Sequence, residues 1–282
     1  ANLTGDLTIP NSVTSLGPYS FAGAQKLGPN LYYSNSITII DSGVFSGCSS
    51  FTGDLTIEDY VSSVGDAAFL DCSGYNGKIT IFGPKTIAEN AFDNTNFKTL
   101  ILKAIQTVND GDLDTFKDIP ISLEIGQDTK EIKESSFDGF SFTGTLDLNN
   151  VDVLGNNCFS GCDGFTGSLN INDNVTGLGS SSFMDCNGFN GSLYISQSIS
   201  DIKKEAFSNC GSLDGGLLIR DNISGIGEKA FFGCSGFDFL DIQDGGVTGI
   251  FDQAFYDCTG FTGLNLNSGL TYIGQGAFAG CE

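Results

Sequence analysis

A phenylalanine returns along this chain at a nearly fixed step: Phe21, Phe45, Phe69, Phe92, Phe116, Phe137, Phe159, Phe183, Phe207, Phe231, Phe255 and Phe278. The steps run from 21 to 24 residues, and each Phe closes a unit best seen in Val61-Ser62-Ser63-Val64-Gly65-Asp66-Ala67-Ala68-Phe69-Leu70-Asp71-Cys72. No other feature constrains the fold so strongly. A unit this short cannot bury its own apolar face, so it must stack on the next one in a solenoid. The repeat fills all 282 residues without a linker. One elongated domain of about twelve repeats is expected, least regular over 94–142, and cut from a longer protein or assembly.

Within a unit, a short strand of the form Leu-x-Ile comes first, as in Leu55–Ile57, Leu100–Leu102, Leu146–Leu148 and Leu217–Ile219. Alternation points its two aliphatic residues inward and the middle one outward. A second inward pair follows (Val61 and Val64, Ile223 and Ile226), then Ala-Phe or Ser-Phe, usually with Cys three residues later. Gly-rich segments such as Phe51-Thr52-Gly53 return the chain to the next strand. The outward residues form a column: Tyr32, Thr56, Thr80, Ile101, Glu124, Asp147, Asn170, Tyr194, Leu218 and Asp241, with Thr8 and Asn265 at its ends. This column is the expected ligand face. Tyr32, Ile101, Tyr194 and Leu218 should be exposed on it, and aromatics serve well as interface anchors.

The pattern Ile-Pro-x-x-Val-Thr-x-Leu-Gly-x-x-x-Phe over Ile9–Phe21, and Val-Thr-x-Leu-Gly-x-x-x-Phe-x-x-Cys over Val175–Cys186, resembles the BspA-type leucine-rich repeat family. The resemblance spans nearly the whole chain. It implies a leucine-rich-repeat-like, right-handed β/α coil, with stacked parallel strands in a curved sheet and short helical or 3-10 turns at the Phe-x-x-Cys segment. It also implies a secreted or cell-surface protein that adheres to proteins or cells and is not an enzyme. The chain departs from the pattern in the Gly-containing step after the second aromatic and in keeping the strand-end Pro only at Pro10.

Composition narrows the function further. Lys and Arg number 12 against 34 Asp and Glu, a formal charge of -22 that repels phosphate backbones and anionic membranes. The absence of His removes Ser-His-Asp and Cys-His catalysis and His-based zinc sites. No run of 18 apolar residues exists, and neither a signal peptide nor an anchor is visible in this segment. Asp110, Asp112 and Asp114 imitate the start of a calcium loop, but Thr115 replaces the turn glycine and Ile121 the closing glutamate. An acidic turn without Ca²⁺, and no cofactor elsewhere, is the expectation. Gly225-Ile226-Gly227 is the repeat's own corner rather than a dinucleotide loop.

Eight of nine cysteines (Cys48, Cys72, Cys162, Cys186, Cys210, Cys234, Cys258 and Cys281) share one repeat position. A ladder keeps stacked side chains about 5 Å apart, whereas a disulfide needs Cβ atoms about 3.5–4.5 Å apart. Buried free thiols are therefore expected, with Cys158, off the ladder, the favoured partner for any bond. Sequons at Asn2, Asn174, Asn190 and Asn222 offer N-glycosylation sites in a secreted eukaryotic protein. The irregular repeats over 94–142 lack the ladder cysteine, and seven of the twelve basic residues fall between 78 and 133.

Three functions fit these residues. The first is non-enzymatic recognition of a protein or glycan through the strand face, outside the cell. The second is structural: Cys281-Glu282 followed by Ala1-Asn2-Leu3-Thr4-Gly5-Asp6-Leu7 nearly rebuilds Cys48–Leu55, so copies could stack end to end into a filament. An intracellular scaffold is the third.

Overall fold

The computed structural model describes residues 3–281, and the chain forms a parallel β-solenoid of about twelve turns. The sequon at Asn2, and Ala1 and Glu282 of the end-to-end join, lie outside the described residues. Contacts divide the chain into two compact units, 1–106 with 111–128 and 107–110 with 129–282, so the division falls within the irregular stretch.

Each regular coil carries two short strands and an arc of turns. In the first unit, the first sheet contains Gly53–Ile57, Tyr75–Phe82, Thr99–Lys103 and Ile121–Ile125, side by side and parallel. Thr56 pairs with Thr80, Thr80 with Ile101, and Ile101 with Glu124, so the outward column is a true register column. Gly5–Thr8 pairs separately with Leu27–Tyr32. The second sheet stacks Ile39–Ile40, Ser63–Val64 and Thr86–Ile87, whose Ile40, Val64 and Ile87 point into the core. These inward pairs thus form a sheet of their own.

The second unit repeats the plan. Leu169–Ile171 pairs with Leu193–Ile195, and Gly215–Ile219 with Phe237–Ile242 and then Gly263–Asn265. Its second sheet has two runs. One joins Thr107–Val108, Glu131–Ile132, Val153–Leu154 and Gly177–Leu178; the other joins Asp201–Ile202, Gly225–Ile226, Gly249–Ile250 and Tyr272–Ile273. The strand expected at Leu146–Leu148 is absent. Both leucines are buried, but the strand of that coil is Phe142–Thr143.

The arc around each Phe is not helical, and here the expectation of helical or 3-10 turns is corrected. Residues two before and two after the Phe adopt left-handed backbone, as at Ala67 (φ 52°) and Asp71 (φ 59°) around Phe69. The same pair flanks Phe183 (Ser181, Asp185), Phe207 (Glu205, Asn209) and Phe255 (Gln253, Asp257). A positive φ at every fourth residue breaks a right-handed helix. Alternate amides divide the labour. Ala68, Leu70 and Cys72 N–H donate back to Gly65, Ala67 and Phe69 carbonyls within tandem turns. Gly43, Phe45 and Gly47 N–H instead donate to Asp66, Ala68 and Leu70 carbonyls of the next coil at 2.7–2.9 Å. The arc therefore stitches coils together much as a sheet does. Among the described residues a 3-10 helix forms only at Asp114–Phe116, in the coil whose Phe lacks both left-handed neighbours.

Inside, the Phe rings stack coil on coil. Centroids of Phe45, Phe69, Phe92 and Phe116 lie 5.2–5.3 Å apart, and those from Phe137 to Phe278 lie 5.2–5.9 Å apart. Phe21 and Phe278 are half-buried at the column ends. Each stack adds about 0.5–1.5 kcal/mol beyond area burial. A second aromatic column runs beside the first, through Phe51, Tyr75 and Phe97, and again through Phe142, Phe165 and Phe189.

Candidate ligand surfaces

The predicted strand face divides into groups that the two units treat differently. In the first unit Tyr32 is 55% exposed, and Glu124 is exposed and takes Lys78 Nζ at 3.0 Å. Thr56, Thr80 and Ile101 are half-buried, because coils so closely spaced let neighbouring side chains cover one another. In the second unit Asn170 is exposed. Asp147 is exposed but lies outside any strand, and its Oδ1 accepts the Asn149 amide at 2.9 Å in a local turn. Asp241 accepts Asn265 Nδ2 at 2.6 Å. The exposure expected for Ile101, Tyr194 and Leu218 is corrected, since all three are half-buried. For Tyr194 the cover is specific. The Arg220 guanidinium stands 4.5 Å above its ring and donates to the Ile195 carbonyl at 2.7 Å, while the Tyr194 hydroxyl donates to Asp173 at 3.1 Å.

Other aromatics are more open. Tyr19, Phe239, Phe251 and Tyr272 are 40–59% exposed. Three of these rings lie against glycine. Tyr19 covers Gly43, Phe239 lies 2.8 Å from where a Gly263 Cβ would stand, and Phe251 lies 3.6 Å from those of Gly225 and Gly249. At Gly225, Gly249 and Gly263, which lie in strands, the aromatic covers backbone that the glycine would leave bare. For Tyr19 and Phe239 the sequence signal was available, since glycine holds the equivalent position of the next coil at Gly43 and Gly263.

The thiols are structural. All nine cysteines are free, and all but the half-buried Cys281 are buried, Cys158 included. Each ladder Sγ donates to the carbonyl of the Phe one coil earlier, as Cys72 to Phe45 (3.0 Å), Cys186 to Phe159 (2.9 Å) and Cys234 to Phe207 (3.0 Å). Cys48, Cys162, Cys210, Cys258 and Cys281 do the same to Phe21, Phe137, Phe183, Phe231 and Phe255. Burial pushes the Cys48 thiol up to about 11 and Cys72 to about 12, which is the opposite of an activated nucleophile. Where Thr95 replaces the cysteine, its hydroxyl donates instead to the Phe92 carbonyl of its own turn at 2.7 Å.

The sequons differ in the atom that would carry sugar. Asn222 Nδ2 donates to the Ser196 and Ile199 carbonyls and is part-buried, and Asn174 Nδ2 donates to the Asn149 carbonyl. Asn190 is exposed and uses Oδ1 to accept the Gly167 amide at 2.8 Å. Asn174 and Asn222 are thus corner ties between coils.

Lys85 is another tie. Its Nζ donates to the carbonyls of Glu58 (2.7 Å), Val61 (3.0 Å) and Ile57 (3.4 Å), and burial pulls it down to about 8 against the opposing Asp59 and Glu58. Among the described residues, no three His, Cys, Asp or Glu side chains gather where they could share a metal ion, and Asp110, Asp112 and Asp114 form no such group. No helix among them is long and apolar enough to cross a membrane.

Stacked parallel strands with an inward Leu-x-Ile repeat and one coil per 21–24 residues define a leucine-rich-repeat solenoid. The chain belongs to the BspA type leucine rich repeat family, which it matches over residues 2–120, 85–190, 113–235 and 202–282. A leucine-rich repeat protein from Bacteroides ovatus has a similar structure, with TM-score 0.58 and 20% identity over 98% of this chain and 76% of that one. A leucine rich cell surface protein from Faecalibacterium prausnitzii (TM-score 0.37, 20% identity, 95% and 89% covered) is more distant. So is a leucine-rich repeat protein from Eubacterium ventriosum (TM-score 0.42, 14% identity, 98% and 88% covered). At these identities the likeness shows the fold alone. No curated protein matches by sequence.

Proposed function

We propose that this protein is a non-catalytic recognition module displayed outside the cell, which binds a partner protein through side chains on the outer faces of its sheets. One observation carries the reading: large aromatics that the core does not need stand exposed on the sheets and against glycine, at Phe239 and Phe251. Rings held this way lose little freedom on binding and make good anchors. Chemistry has less support. The buried thiols are held protonated, and the described ion pairs of Lys78, Lys203 and Lys204 are exposed on the surface. Family membership supports a role in protein interaction or at a surface. Labelling intact source cells with a membrane-impermeant biotin reagent tests the placement. The protein should be labelled at the level of known surface proteins, and labelling only after lysis would overturn it.

A further inference from the structure

We propose that Phe251 and Tyr272, on the outer side of the second unit's second sheet, receive a lysine or arginine side chain from a basic segment of a partner protein. This rests on the recognition reading and adds the partner's chemistry. Phe251 is 49% exposed and Tyr272 48%, with ring centroids 5.7 Å apart and planes inclined at 54°. The Phe251 ring reaches within 3.6 Å of the Cβ positions of both Gly225 and Gly249, so it rests against glycine while about half of the residue stays open to solvent. One carboxylate is tied to the pair, and a second lies near Gly225. Asp252 Oδ1 accepts the Gln275 amide at 2.9 Å and the Tyr272 hydroxyl at 3.4 Å. Asp201 Oδ1 lies 3.8 Å from the Cβ position of Gly225. Ring faces carry negative charge, and a carboxylate beside them completes a site for an ammonium or guanidinium group.

The chain already contains this arrangement with its cation in place. Tyr194 donates its hydroxyl to Asp173 at 3.1 Å, and Arg220 stands over its ring at 4.5 Å. Tyr272 and Asp252 repeat the phenol–carboxylate pair. Among the described residues, the cations over rings are Lys103 on Phe82, Arg220 on Tyr194 and Lys229 on Phe232. The nearby Lys203 faces Asp201 at 3.6 Å instead. A formal charge of -22 also draws basic partners and repels acidic ones.

The test uses the whole chain and fluorescein-labelled twelve-residue peptides of alternating Arg-Gly or Glu-Gly, read by anisotropy at physiological salt. Maltohexaose serves as a neutral competitor. The Arg-Gly peptide should bind and the Glu-Gly peptide should not. Phe251→Ala with Tyr272→Ala should weaken binding about fivefold. Ile39→Ala, which trims an equally open apolar side chain on the first unit, should leave it unchanged. Phe251→Leu keeps the glycines covered but removes the ring face, and should also weaken binding, which guards against an unfolded double variant. Equal affinity in all variants, no Arg-Gly binding, or displacement by maltohexaose overturns the proposal. Surface labelling of the source cells is read separately, so failure of that reading is distinguishable.

Discussion

Tyr75 provides a clean test of how the interior is built. It stands in the second aromatic column between Phe51 and Phe97, with ring centroids 5.9 and 5.0 Å away, and is 1% exposed. Its hydroxyl is buried with no hydrogen-bond partner. Burial drives its ionisation far above the usual phenol range, with the neighbouring Cys72 and Cys48 adding to the effect. An unpartnered buried hydroxyl costs about 1–3 kcal/mol. Phe already occupies the equivalent position at Phe51, Phe165 and Phe189, so the ring needs no repacking. Losing one oxygen leaves a void of about 10 Å³, worth about 0.2 kcal/mol against the change. Tyr75→Phe should therefore stabilise the protein by about 1–3 kcal/mol, raising Tm by about 2–4 °C for each kcal/mol. Urea unfolding followed by circular dichroism, together with calorimetry, measures both. Repeat proteins can unfold in parts, so the comparison is made on the transition that reports the first unit. Destabilisation by about 0.5 kcal/mol or more would mean that the hydroxyl has a partner after all.

Three further outcomes are expected. Gln253 holds a left-handed backbone (φ 56°), so Gln253→Gly should stabilise by about 0.5–1 kcal/mol and Gln253→Val should destabilise by about 1 kcal/mol, measured by urea midpoint. The ladder thiols have pKa values raised above their ordinary 9.0, so the stability they contribute is complete below about pH 8 and is lost as pH rises through 9 and beyond. Lys85, lowered from 10.5 to about 8, acts in the opposite sense by adding stability as pH rises across that window, but it is one group against a ladder. Unfolding free energy measured from pH 7 to 10 should fall above pH 9, and a flat or rising profile would contradict the buried ladder. A thiol reagent should react slowly with the folded protein, fastest at the half-buried Cys281, and should titrate nine thiols in denaturant; fewer than nine would reveal a disulfide.

Much of this was legible in the sequence because it depends on period. Inward Leu-x-Ile pairs and the Phe and Cys columns follow from spacing alone, and register then fixes the outward column from Thr56 to Glu124. The tandem turns were not foreseen, although the left-handed position two residues after the Phe is held by Gly, Asn or Asp, as at Gly47, Asp71, Gly161 and Asn209. Reading that column for residues that tolerate positive φ would have argued against helix. The cover over Tyr194 was hidden because Arg220 reaches it from a corner of the next coil. Phe251 was missed because it occupies a position that other coils give to Gly155, Gly179, Gly227 or Gly274. At Leu146–Leu148 the residue pattern fits a strand, yet backbone pairing in that coil is made at Phe142–Thr143. Inward burial survives there without a ladder, so pattern reads burial more faithfully than hydrogen bonding.

On the proposed reading, the stacked interior is inert scaffold and recognition belongs to rings exposed on the outside. Aromatic carbon NMR on protein labelled at Phe and Tyr, titrated with the Arg-Gly peptide, tests it most directly. Signals from Phe251 and Tyr272 should shift with saturating dependence, while the buried columns through Phe183 and Phe165 stay still. Saturable binding that leaves Phe251 and Tyr272 unmoved, or that shifts the buried columns instead, would contradict it.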